Sequence, residues 1–237
     1  MATSPEDDAR RVAAITDAVA VVDRLRSPGG CPWYAEQTHA SLARYAIEEG
    51  YEVAQAAEGD DPAALRDELG DLLLQVVLHA RLAAEGDTFD LSDVATGLAA
   101  KLRRRNPHVF AADGSKDLDV AQVHQQYLAL KQKERSAEPR SAQTTSTESV
   151  LAGIPDALPA LMSAQQTLAR AQGAGIAVGP DPEADPFDPI ADIGAELLAV
   201  VARAQAIGVD AESALRAQVR SLRGQVRADE AVGPSAM

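Results

Sequence analysis

Aromatic residues make up only 3% of this 237-residue chain, and it has a single cysteine, Cys31. One thiol cannot build an internal disulfide framework and fits a reducing compartment. With so few rings, the core must be aliphatic, packed from Ala, Leu and Val. No apolar run approaches the ~20 residues a membrane span needs, since Leu72–Leu78 is already interrupted by Gln75. The first eight residues are acidic and hold no apolar stretch, so no secretory signal is expected there. Positive charge is also short: the formal net charge is −14. Residues 1–135 carry 15 Lys and Arg against 23 Asp and Glu, and residues 148–237 carry 6 against 12. Neither half is a basic module, so no nucleic-acid polymer and no membrane is expected as partner. These absences describe a cytoplasmic protein whose small anionic ligands need a local cationic patch or a metal ion.

What remains is 46% apolar and rich in helix formers, and the expected fold is all-α. Val12, Ile15, Val19, Val22 and Leu25 recur at spacings of three and four, an amphipathic helix over 6–27. Ser27-Pro-Gly-Gly-Cys-Pro32 breaks it. Further helices are expected over 41–58, 62–85, 92–105 with Ser92 as cap, 120–135, 158–172, 190–207 and 210–228. Residues 136–149 have almost no apolar content and read as a flexible linker. The expected organisation is a helical domain over 1–135, the linker, and a second helical domain over 150–237. Setting Gly70 on Gly194 aligns Glu68–Val77 with Asp192–Val201, so the halves read as a tandem duplication whose second copy has decayed. Asp71 falls on Ala195 and, with a small shift that sets Leu102-Arg103 on Leu222-Arg223, Arg105 falls on Gln225, which assigns any chemistry to the first half.

That chemistry centres on acids. Glu49 and Glu52 are three apart on one helix face, and Glu68 and Asp71 repeat the device on the next helix. Like charges at this spacing repel, and Gly50 costs up to ~1 kcal/mol more in a helix interior. Asp71 also precedes Leu72–Leu78, apolar nearly all round and so expected to be buried. Carboxylates gathered there call for a cation. Oxygen-only ligation points to Mg²⁺ or Mn²⁺. A di-iron bundle wants Glu-x-x-His on two helices; only Glu36-Gln-Thr-His39 has that form, outside the acidic pairs. Lys101 and Arg105 end a helix four residues apart, where cations suit the dipole without any ligand and equally could grip a triphosphate. Tyr127 and Lys131 repeat that spacing and read either as base and phosphate contacts or as core and surface residues. The four histidines read as scattered structural residues.

At these residues the sequence resembles the MazG family of nucleoside triphosphate pyrophosphohydrolases, in the all-α NTP pyrophosphatase superfamily. The family pattern Glu-x-x-Glu, a gap, then Glu-x-x-Asp reads here Glu49-Gly-Tyr-Glu52 and Glu68-Leu-Gly-Asp71. Gly30-Cys-Pro-Trp33, Glu36-Gln-Thr-His39 and Lys101-Leu-x-Arg-Arg-x-Pro-His-Val-Phe110 match flanking segments. The resemblance implies a MazG-like helical bundle in tandem repeat, a homodimer, and Mg²⁺-dependent hydrolysis of (d)NTPs to (d)NMP and pyrophosphate. It implies that Glu49, Glu52, Glu68 and Asp71 hold the metal while Glu48, with Glu49, serves catalysis by orienting the attacking water. Tyr45, Lys101, Arg105, Tyr127 and Lys131 would bind the substrate. Tyr34 stands where the family has Asp, and Tyr127 where it has Trp. Two other readings stay open: a helical dimer that binds nucleotides or a partner without turnover, and a pyrophosphatase restricted to one nucleotide such as dUTP or dCTP.

Overall fold

The computed structural model describes residues 4–111, 118–137, 149–178 and 188–232, and every regular element among them is an α-helix. In chain order these are α1 (Pro5–Arg26), α2 (Pro32–Glu36), α3 (His39–Ala57), α4 (Pro62–Glu85) and α5 (Leu91–Arg105). There follow α6 (Pro107–Phe110), α7 (Val120–Ala137), α8 (Ala160–Gly173), α9 (Pro189–Ala206) and α10 (Ala211–Val232). They form two compact units, Met1–Glu138 and Pro139–Met237. Among the described residues no helix is long and apolar enough to cross a membrane.

Several helix starts are written in a short polar side chain followed by proline. Ser4 and Asp61 accept backbone N–H groups of the first turn, and Pro5 and Pro62 follow them, where a missing N–H costs nothing. Asp188-Pro189 opens α9 in the same way. Two boundaries correct the sequence reading. The cap of α5 is Asp90, not Ser92: Asp90 Oδ1 accepts from the N–H of Ser92 (2.7 Å) and Asp93 (3.1 Å), and Asp93 Oδ2 accepts from the Asp90 N–H in return. Ser136 and Ala137, assigned to the linker, continue α7. The remainder of that expected linker, 138–148, lies outside the described residues.

The turn from α1 to α2 depends on its glycines. Gly29 has φ +75°, the left-handed region. A Cβ on Gly30 would lie 2.3 Å from the Leu25 carbonyl oxygen, so only glycine lets the chain pass so close to the end of α1.

In the first unit α3 and α4 pack as an antiparallel pair, with α1 against α4. Val22, Leu42, Val77 and Leu78 are the buried centre, and Val19, Tyr34, Tyr45, Leu74, Leu82 and Leu91 pack around it. Tyr34 is thus a core residue, its ring edge-on to Trp33 at 4.9 Å. Arg26, its side chain only 8% exposed, ties the pieces together. It donates from Nε and Nη2 to Glu85 at 2.9 Å each, and from Nη1 to the carbonyls of Tyr34 and Gln37. The expectation that 72–78 is buried all round is corrected. Gln75, Val77 and Leu78 are buried, but Leu73 and Val76 are exposed, as is Leu69 one turn earlier. In the second unit Ala171, Val201 and Ala211 are buried. Gln165 on α8 clasps the turn between α9 and α10, donating to the Val209 carbonyl (2.8 Å) and accepting from the Ala211 N–H (2.9 Å).

Candidate metal centre

Because α3 and α4 run antiparallel, Glu49 on one meets Glu68 and Asp71 on the other. Among the described residues these three form a group that could hold a metal ion, each offering a carboxylate oxygen within 4.8 Å of the others. Glu52, one turn after Glu49, stands outside that trio, and its charge bears on Glu49. Glu48 is exposed beside them. Asp71 is itself exposed, so it is not the buried carboxylate that its neighbours Leu72–Leu78 imply.

The electrostatics are those of crowded like charges. Glu49 is pushed above the ordinary carboxylate value of 4.5, first by partial burial, then by the charges of Asp71 and Glu52, the close approach of the Glu52 carboxyl, and the charge of Glu48. Glu68 is raised too, by burial and then by Glu52, Asp71 and Asp67. No cationic side chain figures among the causes. Hard oxygen donors that repel one another, with no counter-ion beside them among the described residues, are the donor set that Mg²⁺ or Mn²⁺ takes, and the residues present fit such an ion. The cluster lies on an open face. A groove of about 600 Å³ opens between α1, α4 and α5, lined by Val19, Asp23, Ala80, Arg81, Leu91 and Ala95 among others, and none of the four acids lines it.

The remaining candidates divide. Arg105 and Tyr127 come together: Arg105 Nη1 donates to the Tyr127 hydroxyl at 3.2 Å, and its guanidinium carbon lies 5.5 Å from the ring centroid. Sequence reasoning missed the group that joins them. Glu134, also on α7, takes Arg104 Nε at 2.5 Å and Arg105 Nε at 2.8 Å. Its one sequence signal is register, because Tyr127, Lys131 and Glu134 fall four and then three apart on one helix face. Lys101 is exposed on α5. The side chain of Lys131 lies outside the described residues. Tyr45 sits half-buried one turn before Glu49, near Trp33 (5.9 Å between rings), with its hydroxyl 2.6 Å from Arg44 Nη2.

The histidines are not all scattered. His39 and His79 meet across α3 and α4 with their Nδ1 atoms 2.8 Å apart. Their rings are nearly parallel (18°) with centroids 5.0 Å apart. The nitrogen gap plus one ring radius at either end accounts for that separation, so the rings meet edge to edge in one plane, as an N–H···N bond requires. Burial and the neighbouring His39 push His79 below its ordinary value. The pair lies several turns from the acids along the same helix–helix seam. Glu36-Gln-Thr-His39 therefore supplies no ligand to the carboxylates, and the di-iron alternative lacks its histidines.

Comparison with known proteins bears on this geometry. The model of the MazG nucleotide pyrophosphohydrolase domain matches residues 37–110, the stretch that spans α3 to α6 and all four acids. An uncharacterized 26.1 kDa protein of Streptomyces cacaoi is 40% identical over 220 residues, covering 92% of this chain and 83% of that one. The nucleoside triphosphate pyrophosphohydrolase of Escherichia coli K12 is 42% identical over 156 residues, 65% of this chain and only 56% of its own length. The Thermotoga maritima protein named nucleoside triphosphate pyrophosphohydrolase/pyrophosphatase MazG is 33% identical over 218 residues, covering 85% of this chain and 80% of that protein. Likeness at this level over nearly the whole of both chains, on an all-helical fold whose paired helices gather the motif's acids, establishes that the chain belongs to the MazG family.

Proposed function

We propose that the protein hydrolyses (d)NTPs to the corresponding (d)NMP and pyrophosphate, with Mg²⁺ held by Glu49, Glu52, Glu68 and Asp71. The observation that carries this reading is the convergence of Glu49, Glu68 and Asp71 from α3 and α4, with no cation among them. Relatives named as nucleoside triphosphate pyrophosphohydrolases supply the substrate class and the bond. Mg²⁺, when bound, supplies charge that offsets the phosphate oxygens and acidifies a coordinated water. The chain's own residues do the rest. Glu48, exposed beside the cluster, accepts the proton of the attacking water. Lys101 and Arg105 hold phosphate oxygens, Arg105 through a planar fork that matches them. Tyr127, with Lys131 and Tyr45, holds the nucleoside end. Pyrophosphate leaves as the anhydride bond breaks.

The working unit in this reading is a homodimer. Leu69, Leu73 and Val76 on α4, with Ile47 and Tyr51 on α3, expose an apolar face on the helices that carry the acids. A second copy covering that face would enclose the open cluster. The second unit is a decayed repeat: α9 opens on Asp188-Pro189 as α4 opens on Asp61-Pro62, but Ala195 replaces Asp71. It takes no part in catalysis. The setting is the cytoplasm and the role is clearance of unwanted nucleotides from the pool. Asp71→Asn and Glu52→Gln test the site. Each should abolish turnover while the helical CD signal survives; an active Asp71→Asn enzyme would show that the site lies elsewhere.

A further inference from the structure

We propose that Glu134 is a positioning residue for this hydrolysis, aiming Arg105 at phosphate without itself touching the substrate; the inference rests on the function proposed above. A guanidinium has five N–H groups in one plane. In Arg105 the Nε edge is taken, with Glu134 Oε2 2.8 Å from Nε and 2.7 Å from Nη2. Held on that edge, Glu134 leaves the forward N–H of each terminal nitrogen to other partners, the end-on fork that grips two oxygens of one phosphate, and Tyr127 takes one N–H of Nη1.

Glu134 therefore fixes the plane of Arg105 while leaving its forward edge to a phosphate. Were Glu134 a rival for that edge, it would occupy both terminal nitrogens and leave Nε free. Arg105 and Glu134 are each only 15% exposed, unlike a helix-end cation swinging in solvent. The two arginines hold the Glu134 carboxyl down at about 2, so it stays ionised wherever the enzyme works. Tyr127 is held by the same arginine, which links the nucleoside end of the site to the phosphate end.

Steady-state kinetics of the full-length chain with Mg²⁺ and a triphosphate that the wild type turns over test the proposal. Glu134→Gln keeps the shape and loses the charge, so Arg105 stays cationic but is no longer aimed. The expected result is a fall in kcat of about tenfold to a hundredfold, the cost of misplacing a binding group by an ångström, with KM changed less than threefold. Glu134→Asp should recover part of kcat, and Tyr127→Phe should lose less than Glu134→Gln. A role in stability alone would lower the melting temperature and leave kcat of the folded protein unchanged at temperatures well below it. That result, or a Glu134→Gln enzyme within twofold of wild-type kcat, overturns the proposal. If Glu134→Gln does not fold, Glu134→Asp decides, since its carboxylate falls about an ångström short of Arg105: wild-type kcat overturns the proposal and a reduced kcat at constant KM supports it. A wild type that hydrolyses no nucleotide overturns the proposed function instead, so the two failures are distinguishable.

Discussion

Replacing Arg26 by Met should cost the first unit about 1–4 kcal/mol. The apolar stem of the side chain stays and its head is lost, so the change isolates the polar contacts. Two carbonyls, of Tyr34 and Gln37, lose the guanidinium donor. The Tyr34 carbonyl keeps the Gln37 N–H at 3.3 Å, so only the Gln37 carbonyl is left without its donor, at a cost of about 1–3 kcal/mol for a partly buried acceptor. Glu85 loses its bidentate partner, but it is 36% exposed and keeps Arg81 at 3.5 Å. That ion pair therefore adds only about 0–1 kcal/mol, well below the ~3–5 kcal/mol of a fully buried pair broken on one side. Trp33, the only tryptophan, sits on α2 beside the affected carbonyls and reports on the first unit alone. Urea unfolding followed by Trp33 fluorescence should shift to lower midpoint with unchanged slope. A loss below about 0.5 kcal/mol would show that Arg26 does not tie α2 to α1 and α4, because surface substitutions already vary by that much.

Other outcomes follow from the same structure. Gly50→Ala should stabilise the protein by about 0.5–1 kcal/mol, since a Cβ there meets nothing within 4 Å in the middle of α3; thermal unfolding checks it. Gly30→Ala should instead lower the melting temperature, because its Cβ would collide with the Arg24 and Leu25 carbonyls. Glu68→Gln gives a pH signature in the metal-free protein. A carboxyl raised in the fold favours folding when protonated, so its contribution is present below its ordinary 4.5 and is lost as pH rises through the folded value. In EDTA the variant should therefore match wild type near that pH and exceed it at neutral pH, and excess Mg²⁺ should reverse the order because only wild type keeps the complete site. For the His39–His79 pair, nitrogen NMR should find one ring protonated at Nδ1 and the other not.

Much of this was legible because the signals are local. Asp and Ser before Pro mark α1 and α4, and three-residue spacing puts Glu49 beside Glu52 and Glu68 beside Asp71 before any helix pairing is known. What escaped was either too short or too distant. The helices α2 and α6 have five and four residues, less than a hydrophobic period can reveal. His39 and His79 are forty residues apart, and Glu134 lies twenty-nine beyond Arg105, so nothing local ties them. The run Leu72–Leu78 misled for another reason. Apolar character records every surface that a residue can bury, whereas one chain buries only those facing its own helices, which leaves Leu73 and Val76 exposed and Gln75 inside.

Release of pyrophosphate from a panel of NTPs and dNTPs, with Mg²⁺ and with EDTA, tests the central claim most directly. Metal-dependent release is expected from at least one nucleotide, lost in EDTA and in Asp71→Asn. Nucleotide binding without release from any member of the panel would contradict it and leave a helical binding module in its place.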